Sequence, residues 1–190
     1  MPRTALQGSS AAGHTEVVRL LLGAAASANL GDKSGCTPLL VAARSGYSEV
    51  VPLLVEAMSE LDTADTGGAT PMLSAARWGH ANVVNVLMLA RAALNKGTTT
   101  TPLCVASRSG NSDVVRHLLS GRADIHLANN FGSSPLLLAA AHGRTEVVKQ
   151  LVAAAADCKQ RNEDGFSPFQ VASRGGHRDV MHLLMQGSDT

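Results

Sequence analysis

Seven histidines, three cysteines and fifteen carboxylates are the side chains of this 190-residue chain able to bind a metal, attack an electrophile or move a proton. Each of those chemistries needs its groups to converge. A structural zinc site uses closely spaced Cys and His pairs, and a nucleophilic Cys or Ser needs an adjacent base. The chain has no G-x-S-x-G, no P-loop, no G-x-G-x-x-G and no H-E-x-x-H. His14, His80 and His177 each follow a glycine and recur at a fixed place, which reads as a structural role. Cys36, Cys104 and Cys158 are an odd number with no C-x-x-C, so they form neither a disulfide framework nor a metal site. They fit a reducing compartment, the cytosol or the nucleus. Acids fall at turns, such as Asp32 and Asp65, or at helix starts, and no two are poised for acid–base work. The expectation is a non-enzyme with no catalytic residue, no metal ligand and no cofactor.

Composition narrows the partners. Sixteen basic and fifteen acidic residues leave a net charge of +1, which gives no general attraction to nucleic acid or an anionic membrane. The aromatic platforms on which bases stack are missing too, since aromatic residues are 3% of the chain. A hydrophobic fraction of 45% argues against disorder and for a core of Ala, Leu and Val. No apolar run approaches the roughly 18 residues of a membrane-spanning helix. The first ten residues lack the charged-then-apolar layout of a signal peptide. A soluble intracellular protein is expected.

The elements that position these residues repeat. Gly13, Gly46, Gly79, Gly110, Gly143 and Gly176 are separated by 33, 33, 31, 33 and 33 residues. A Thr/Ser–Pro–apolar triplet precedes each glycine from the second on: Thr37-Pro38-Leu39, Thr70-Pro71-Met72, Thr101-Pro102-Leu103, Ser134-Pro135-Leu136 and Ser167-Pro168-Phe169. A degenerate Thr4-Ala5-Leu6 opens the chain. An apolar pair follows each glycine, from Val17-Val18 to Val180-Met181. The hydroxyl residue is suited to an N-cap, Pro to the first helical position, and Gly to a left-handed helix end. A second helix then carries an apolar stripe at helical spacing, with Glu16, Glu49, Asn82, Asp113, Glu146 and Asp179 in its first turn. Gly35, Gly68, Gly132 and Gly165, just before the next triplet, mark a turn that returns the chain.

This unit resembles the ankyrin repeat, whose signature is a 33-residue period with T-P-L-H-x-A. The resemblance implies an all-α solenoid of helix-turn-helix units joined by short β-turns or hairpins. It divides the chain, read as one domain of residues 1–190, into units 1–31, 32–64, 65–95, 96–128, 129–161 and 162–190. Asn29 and Asn95 occupy the turn position that asparaginyl hydroxylases modify in similar repeats.

Departures from the pattern carry expectations of their own. Gln7, Leu40, Leu73, Cys104, Leu137 and Gln170 replace the signature histidine, so its hydrogen bond is expected to be lost and replaced by apolar packing. The third unit is two residues short near residues 94–100, with Thr99 in place of the turn glycine, which predicts a tight or distorted hairpin. Pro52 is expected inside the second helix of its unit, removing a backbone bond and bending it. His117 and Gln150 replace apolar residues at equivalent positions, as hydrogen-bonded neighbours or as partly exposed groups. Gly8, Ser9 and Ser10 read as a partial N-terminal cap. The last unit keeps Val180, Met181, Leu183, Leu184 and Met185 as though another repeat followed.

The remaining candidate site is a surface. In ankyrin-like stacks the turn tips and first helices form a concave face that grips a partner. Arg44, Arg77, Arg108 and Arg174 stand two residues before their helix-ending glycines, interrupted by Ala11 and Ala141. Arg44, Arg77 and Arg108 are expected as a ladder at roughly 10 Å intervals, with the lone Trp78 beside Arg77 as the anchor. Lys33, Thr66, Phe131 and Phe166 extend the strip at the turn tips, and Glu163 and Asp164 add negative charge. The solvated-face alternative is that the arginines cover apolar neighbours with their stems and Trp78 tucks against the next unit. The function expected is a monomeric protein–protein interaction scaffold or adaptor that binds an acidic extended or helical segment, because Arg favours bidentate carboxylate contacts. The alternative is the targeting or regulatory segment of a larger enzyme, channel or ubiquitin-ligase subunit.

Overall fold

The computed structural model describes residues 4–187. Twelve helices and no strand occur among the described residues, in two compact units, Met1–Thr98 and Thr99–Thr190. The first unit holds α1 (Ala5–Ala12), α2 (Thr15–Gly23), α3 (Pro38–Ser45), α4 (Val50–Glu56), α5 (Pro71–Trp78) and α6 (Ala81–Leu89). The second holds α7 (Pro102–Ser109), α8 (Ser112–Ser120), α9 (Pro135–Ala141), α10 (Thr145–Ala153), α11 (Pro168–Arg174) and α12 (Arg178–Gln186). Odd-numbered helices pack on one another as an inner layer, α1–α3–α5 and α7–α9–α11. The even-numbered ones form an outer layer, α2–α4–α6 and α8–α10–α12.

Local chemistry accounts for the repeat. Each inner helix starts at a Thr or Ser whose hydroxyl accepts an N–H bond from the third helical residue, as Thr37 does from Leu40 at 3.2 Å. Pro follows as the first helical residue in α3, α5, α7, α9 and α11. Gly46 ends α3 at φ 83°, and a Cβ there would collide with the His80 ring. The glycine therefore serves both the left-handed turn and the seating of the next repeat's side chain. The core consists of Leu, Val, Ala and Met with two buried cysteines, and no aromatic residue is buried. Small inner-helix pairs such as Ala42-Ala43 and Ala75-Ala76 are fully buried, which lets helices approach closely.

Hairpins before α3, α5, α9 and α11 are folded around an Asp or Asn. The Asp32 carboxylate accepts from Ser34 and Cys36 N–H at 2.9 and 3.1 Å, and Asp65, Asn129 and Asn162 do the same kind of work. Neighbouring tips are bonded through backbone, Thr66 N–H to Ser34 O at 2.9 Å and Glu163 N–H to Phe131 O at 3.3 Å. The short third loop has Lys96 at the Asp/Asn place and forms a bend at residues 98–100 instead of a turn.

Several expectations are corrected. The lost histidine bond is replaced by polar groups in three repeats. Gln7 Nε2 donates to Leu30 O at 3.0 Å and Cys36 O at 2.5 Å, and the Cys104 thiol faces the equivalent carbonyls, Leu127 and Ser133, at 3.4 and 3.8 Å. Gln7 and Gln170 also complete capping boxes with Thr4 and Ser167. Only Leu40, Leu73 and Leu137 rely on apolar burial. Pro52 lies in the first turn of α4, where an N–H has no intrahelical acceptor, so the helix starts two residues late instead of kinking. His117 and Gln150 are half-buried, and Gln150 Oε1 is buried without a partner, so that oxygen takes no bond from His117. Gly8 and Ser9 are half-buried and Ser10 is buried with its hydroxyl unpartnered. In α12 Val180 and Leu184 are buried, Met181 and Leu183 half-buried and Met185 exposed.

One recurrent feature has no counterpart among the expectations. Outer helices α2, α4, α6, α8 and α10 end with left-handed Ala25, Met58, Arg91, Arg122 and Ala155, at φ between 59° and 67°. None is a glycine.

Candidate functional site

Three chemistries can be tested on the geometry. The histidines after the glycines are stacking contacts: His80 Nε2 lies 3.1 Å from Arg44 O and His177 Nε2 3.2 Å from Ala141 O. Arg144 does the same with Nε, 3.1 Å from Arg108 O. A cleft around Gly143, Gly176, His177 and Asp179 pairs a histidine with an acid, but that histidine nitrogen is already engaged by the Ala141 carbonyl. All three cysteines are free. Burial pushes the Cys36, Cys104 and Cys158 thiols above their ordinary range, the opposite of an activated nucleophile. At Cys36 the carboxylates Asp32 and Asp65 push the same way, and Arg44 opposes them. Among the described residues no three His, Cys, Asp or Glu side chains are grouped to hold a metal.

The candidate surface residues fall in two places. In the first unit Lys33 and Thr66 are exposed at the tips of their hairpins. Arg44 and Arg77 hold equivalent positions in the last turns of α3 and α5, with Arg44 half-buried against Cys36 and Arg77 exposed. Trp78 is the last residue of α5 and is 63% exposed, so it does not tuck against its neighbour. In the second unit Arg108 is exposed in the last turn of α7, and Phe131 is 65% exposed at a hairpin tip. Phe166 is half-buried because Arg174, from the last turn of α11, lies over its ring at 3.8 Å from the centroid. Arg44 reaches Cys36 and Arg174 reaches Phe166 over the same eight-residue interval. Inner-helix ends and hairpins therefore share one face within each unit.

The structure adds residues that the repeat pattern does not single out. Val105, Leu138 and Val171 are half-buried on the inner helices of the second unit, three residues before Arg108, Ala141 and Arg174. The equivalent residues in other repeats include Gly8 and Ser74, so the position accepts small and polar side chains as well as apolar ones.

The family profile for ankyrin repeats matches in three copies, over residues 2–65, 57–129 and 103–190. The fold is similar to the human ASB11 ankyrin repeat domain, with TM-score 0.91, 24% identity, and coverage of 97% of this chain and 84% of that one. It is also similar to an ankyrin repeat domain from Acinetobacter baumannii AYE, with TM-score 0.88, 25% identity, and coverage of 96% and 97%. A chain from the complex of the predatory endopeptidase Bd0816 of Bdellovibrio bacteriovorus with immunity protein Bd3460 gives TM-score 0.85, 24% identity, and coverage of 98% and 99%. No curated protein matches the chain in sequence.

Proposed function

Since the chain belongs to the ankyrin repeat family, we propose that it is a non-catalytic protein–protein interaction scaffold whose inner-helix and hairpin-tip face holds a partner. The observation that carries this reading is the placement of the aromatic residues. In a chain with 3% aromatics none of the described ones is in the core, while Trp78, next to Arg77 at the end of α5, and Phe131, at a hairpin tip, are exposed. Exposing a Trp forgoes one of the largest burial gains available to a side chain, and Trp and Arg dominate interface hot spots. Trp78 supplies the anchor and Arg77, with Arg44, the selection for carboxylates in the first unit. Arg108, Phe131, Phe166 and Arg174 do so in the second. The partner is an acidic extended or helical segment, and the protein acts as a monomer. No helix among the described residues is long and apolar enough to cross a membrane, and the free thiols fit the cytosol or nucleus.

The test is affinity capture with residues 1–190 against a bait carrying Arg77→Glu and Trp78→Ala, both checked for helicity by circular dichroism. A partner held by the first bait and lost by the second supports the reading; identical capture by equally folded baits refutes it. A second reading makes this region the targeting segment of a larger enzyme, channel or ligase subunit. Exposure of Met185 beside half-buried Met181 and Leu183 in the last repeat favours it. Detection of the native protein at about 20 kDa on a denaturing gel, near the 19.6 kDa of this chain, would exclude it.

A further inference from the structure

Val105 in α7, Leu138 in α9 and Val171 in α11 hold equivalent positions on three successive inner helices, and all three are half-buried. Of their first-unit counterparts, Val41 and Ser74 are buried and Gly8 is half-buried. One turn further stand Arg108, Ala141 and Arg174, and residues three apart lie on the same helix face. Ala141 thus leaves a gap between two arginines, directly beyond Leu138. Packed helices lie about 8–10 Å apart, so Arg108 and Arg174, two helices apart, stand about 16–20 Å from each other. The Arg19–Glu16, Arg116–Asp113 and Lys149–Glu146 ion pairs are on outer helices α2, α8 and α10, and neither Arg108 nor Arg174 takes part in them. The Arg174 guanidinium lies over the Phe166 ring, a contact that uses its face and leaves its in-plane N–H donors available to a carboxylate.

Building on the interaction reading above, we propose that the second unit binds an extended acidic peptide in a set register. A large apolar side chain of that peptide fills the gap over Leu138 and Ala141. Two carboxylates flank it and bond to Arg108 and Arg174. An extended chain in the polyproline II form advances about 3.1 Å per residue with about three residues per turn, so a 16–20 Å span separates the carboxylates by about six positions and puts side chains i, i+3 and i+6 on one face. A helix, rising about 1.5 Å per residue, needs more than ten for the same span. The two geometries therefore demand different sequences, and the extended one places its central side chain in the gap.

The probe is a fluorescein-labelled peptide of about a dozen residues, with glutamates about six apart around a central leucine on a Ser/Gly background. Fluorescence anisotropy with residues 1–190 reads binding. Saturable binding is expected, weakened about tenfold or more by Arg108→Glu, by Arg174→Glu and by moving the glutamates to about three apart. Ala141→Arg, which installs the residue that Arg44, Arg77 and Arg108 already are in their own repeats, fills the gap and weakens binding likewise. Circular dichroism confirms that each variant is folded. Equal binding of both spacings, undiminished binding by Ala141→Arg, or no saturable binding overturns the proposal. If the peptide fails while a captured partner still depends on Trp78, this proposal falls and the interaction reading stands. If neither binds, both fall.

Discussion

The left-handed residues that end the outer helices set up a sharp test of where this fold stores strain. At Met58, φ is 59°, and the turn is closed by Met58 N–H to Val55 O at 3.0 Å and Ser59 N–H to Leu54 O at 3.1 Å. That is a Schellman motif, which glycine usually occupies. The same pair of bonds recurs at Ala25, Arg91, Arg122 and Ala155, and all five side chains are exposed. Replacing each by glycine therefore removes little packing and relieves the Cβ clash. The clash costs about 1–2 kcal/mol per residue. Against it stands the extra freedom glycine gives the unfolded chain, about 0.4–1 kcal/mol. The difference is a gain of about 0.5–1 kcal/mol per site, or about 3–5 kcal/mol for Ala25→Gly, Met58→Gly, Arg91→Gly, Arg122→Gly and Ala155→Gly together. Because each repeat contacts only its neighbours, the sites should add.

Urea denaturation followed by circular dichroism measures this, with thermal midpoints rising about 2–4 °C per kcal/mol for a chain of this size. Gly46→Ala is the control with the opposite sign. It adds a left-handed clash and pushes a methyl group into the His80 ring, so it should destabilise. A fivefold glycine variant no more stable than its parent, with unchanged urea slope, would refute the claim that these turns are strained.

Other perturbations read single interactions. Ser107 is fully buried with its hydroxyl unpartnered, and Ala43, Ala76 and Ala140 fill the equivalent places. Ser107→Ala should stabilise by about 1 kcal/mol in the same urea assay. Gln7→Leu should cost about 2 kcal/mol although Leu40 and Leu73 occupy that position elsewhere, because the Leu30 and Cys36 carbonyls lose the Gln7 donor. Iodoacetamide should modify half-buried Cys158 before fully buried Cys104 in the folded protein, as mass spectrometry would show. A thiol pKa raised by burial means that the folded state holds its proton more tightly. The stability this contributes is full below the ordinary thiol value of 9.0 and is lost as pH rises through the raised folded value. An unfolding midpoint that increased above pH 9 would contradict that sign.

The periodic elements were legible because their causes are local. A hydroxyl at the N-cap, Pro38 or Pro71 in the first turn, and Gly46 or Gly79 at the end act over a few residues, so spacing alone discloses them. The histidine replacements were misread because their partners are remote. Gln7 bonds to carbonyls 23 and 29 residues away, and only the stacked hairpin brings these within reach. Pro52 was misread because a helix start cannot be placed to within a turn from pattern alone.

The same division applies to the candidate surface. Equivalent positions for Arg44, Arg77, Arg108 and Arg174 follow from the repeat. Their environments do not: Arg44 leans on Cys36, Arg174 covers Phe166, and Arg77 remains exposed. The partial exposure of Val105, Leu138 and Val171 does not follow from the repeat either, because apolar character at helical spacing does not say which side of a helix meets another layer. Sequence determined the repeat, the caps and the turns, since each is a short-range match between side chain and backbone. Tertiary structure decided which apolar and charged side chains face solvent, since exposure depends on what neighbouring repeats cover.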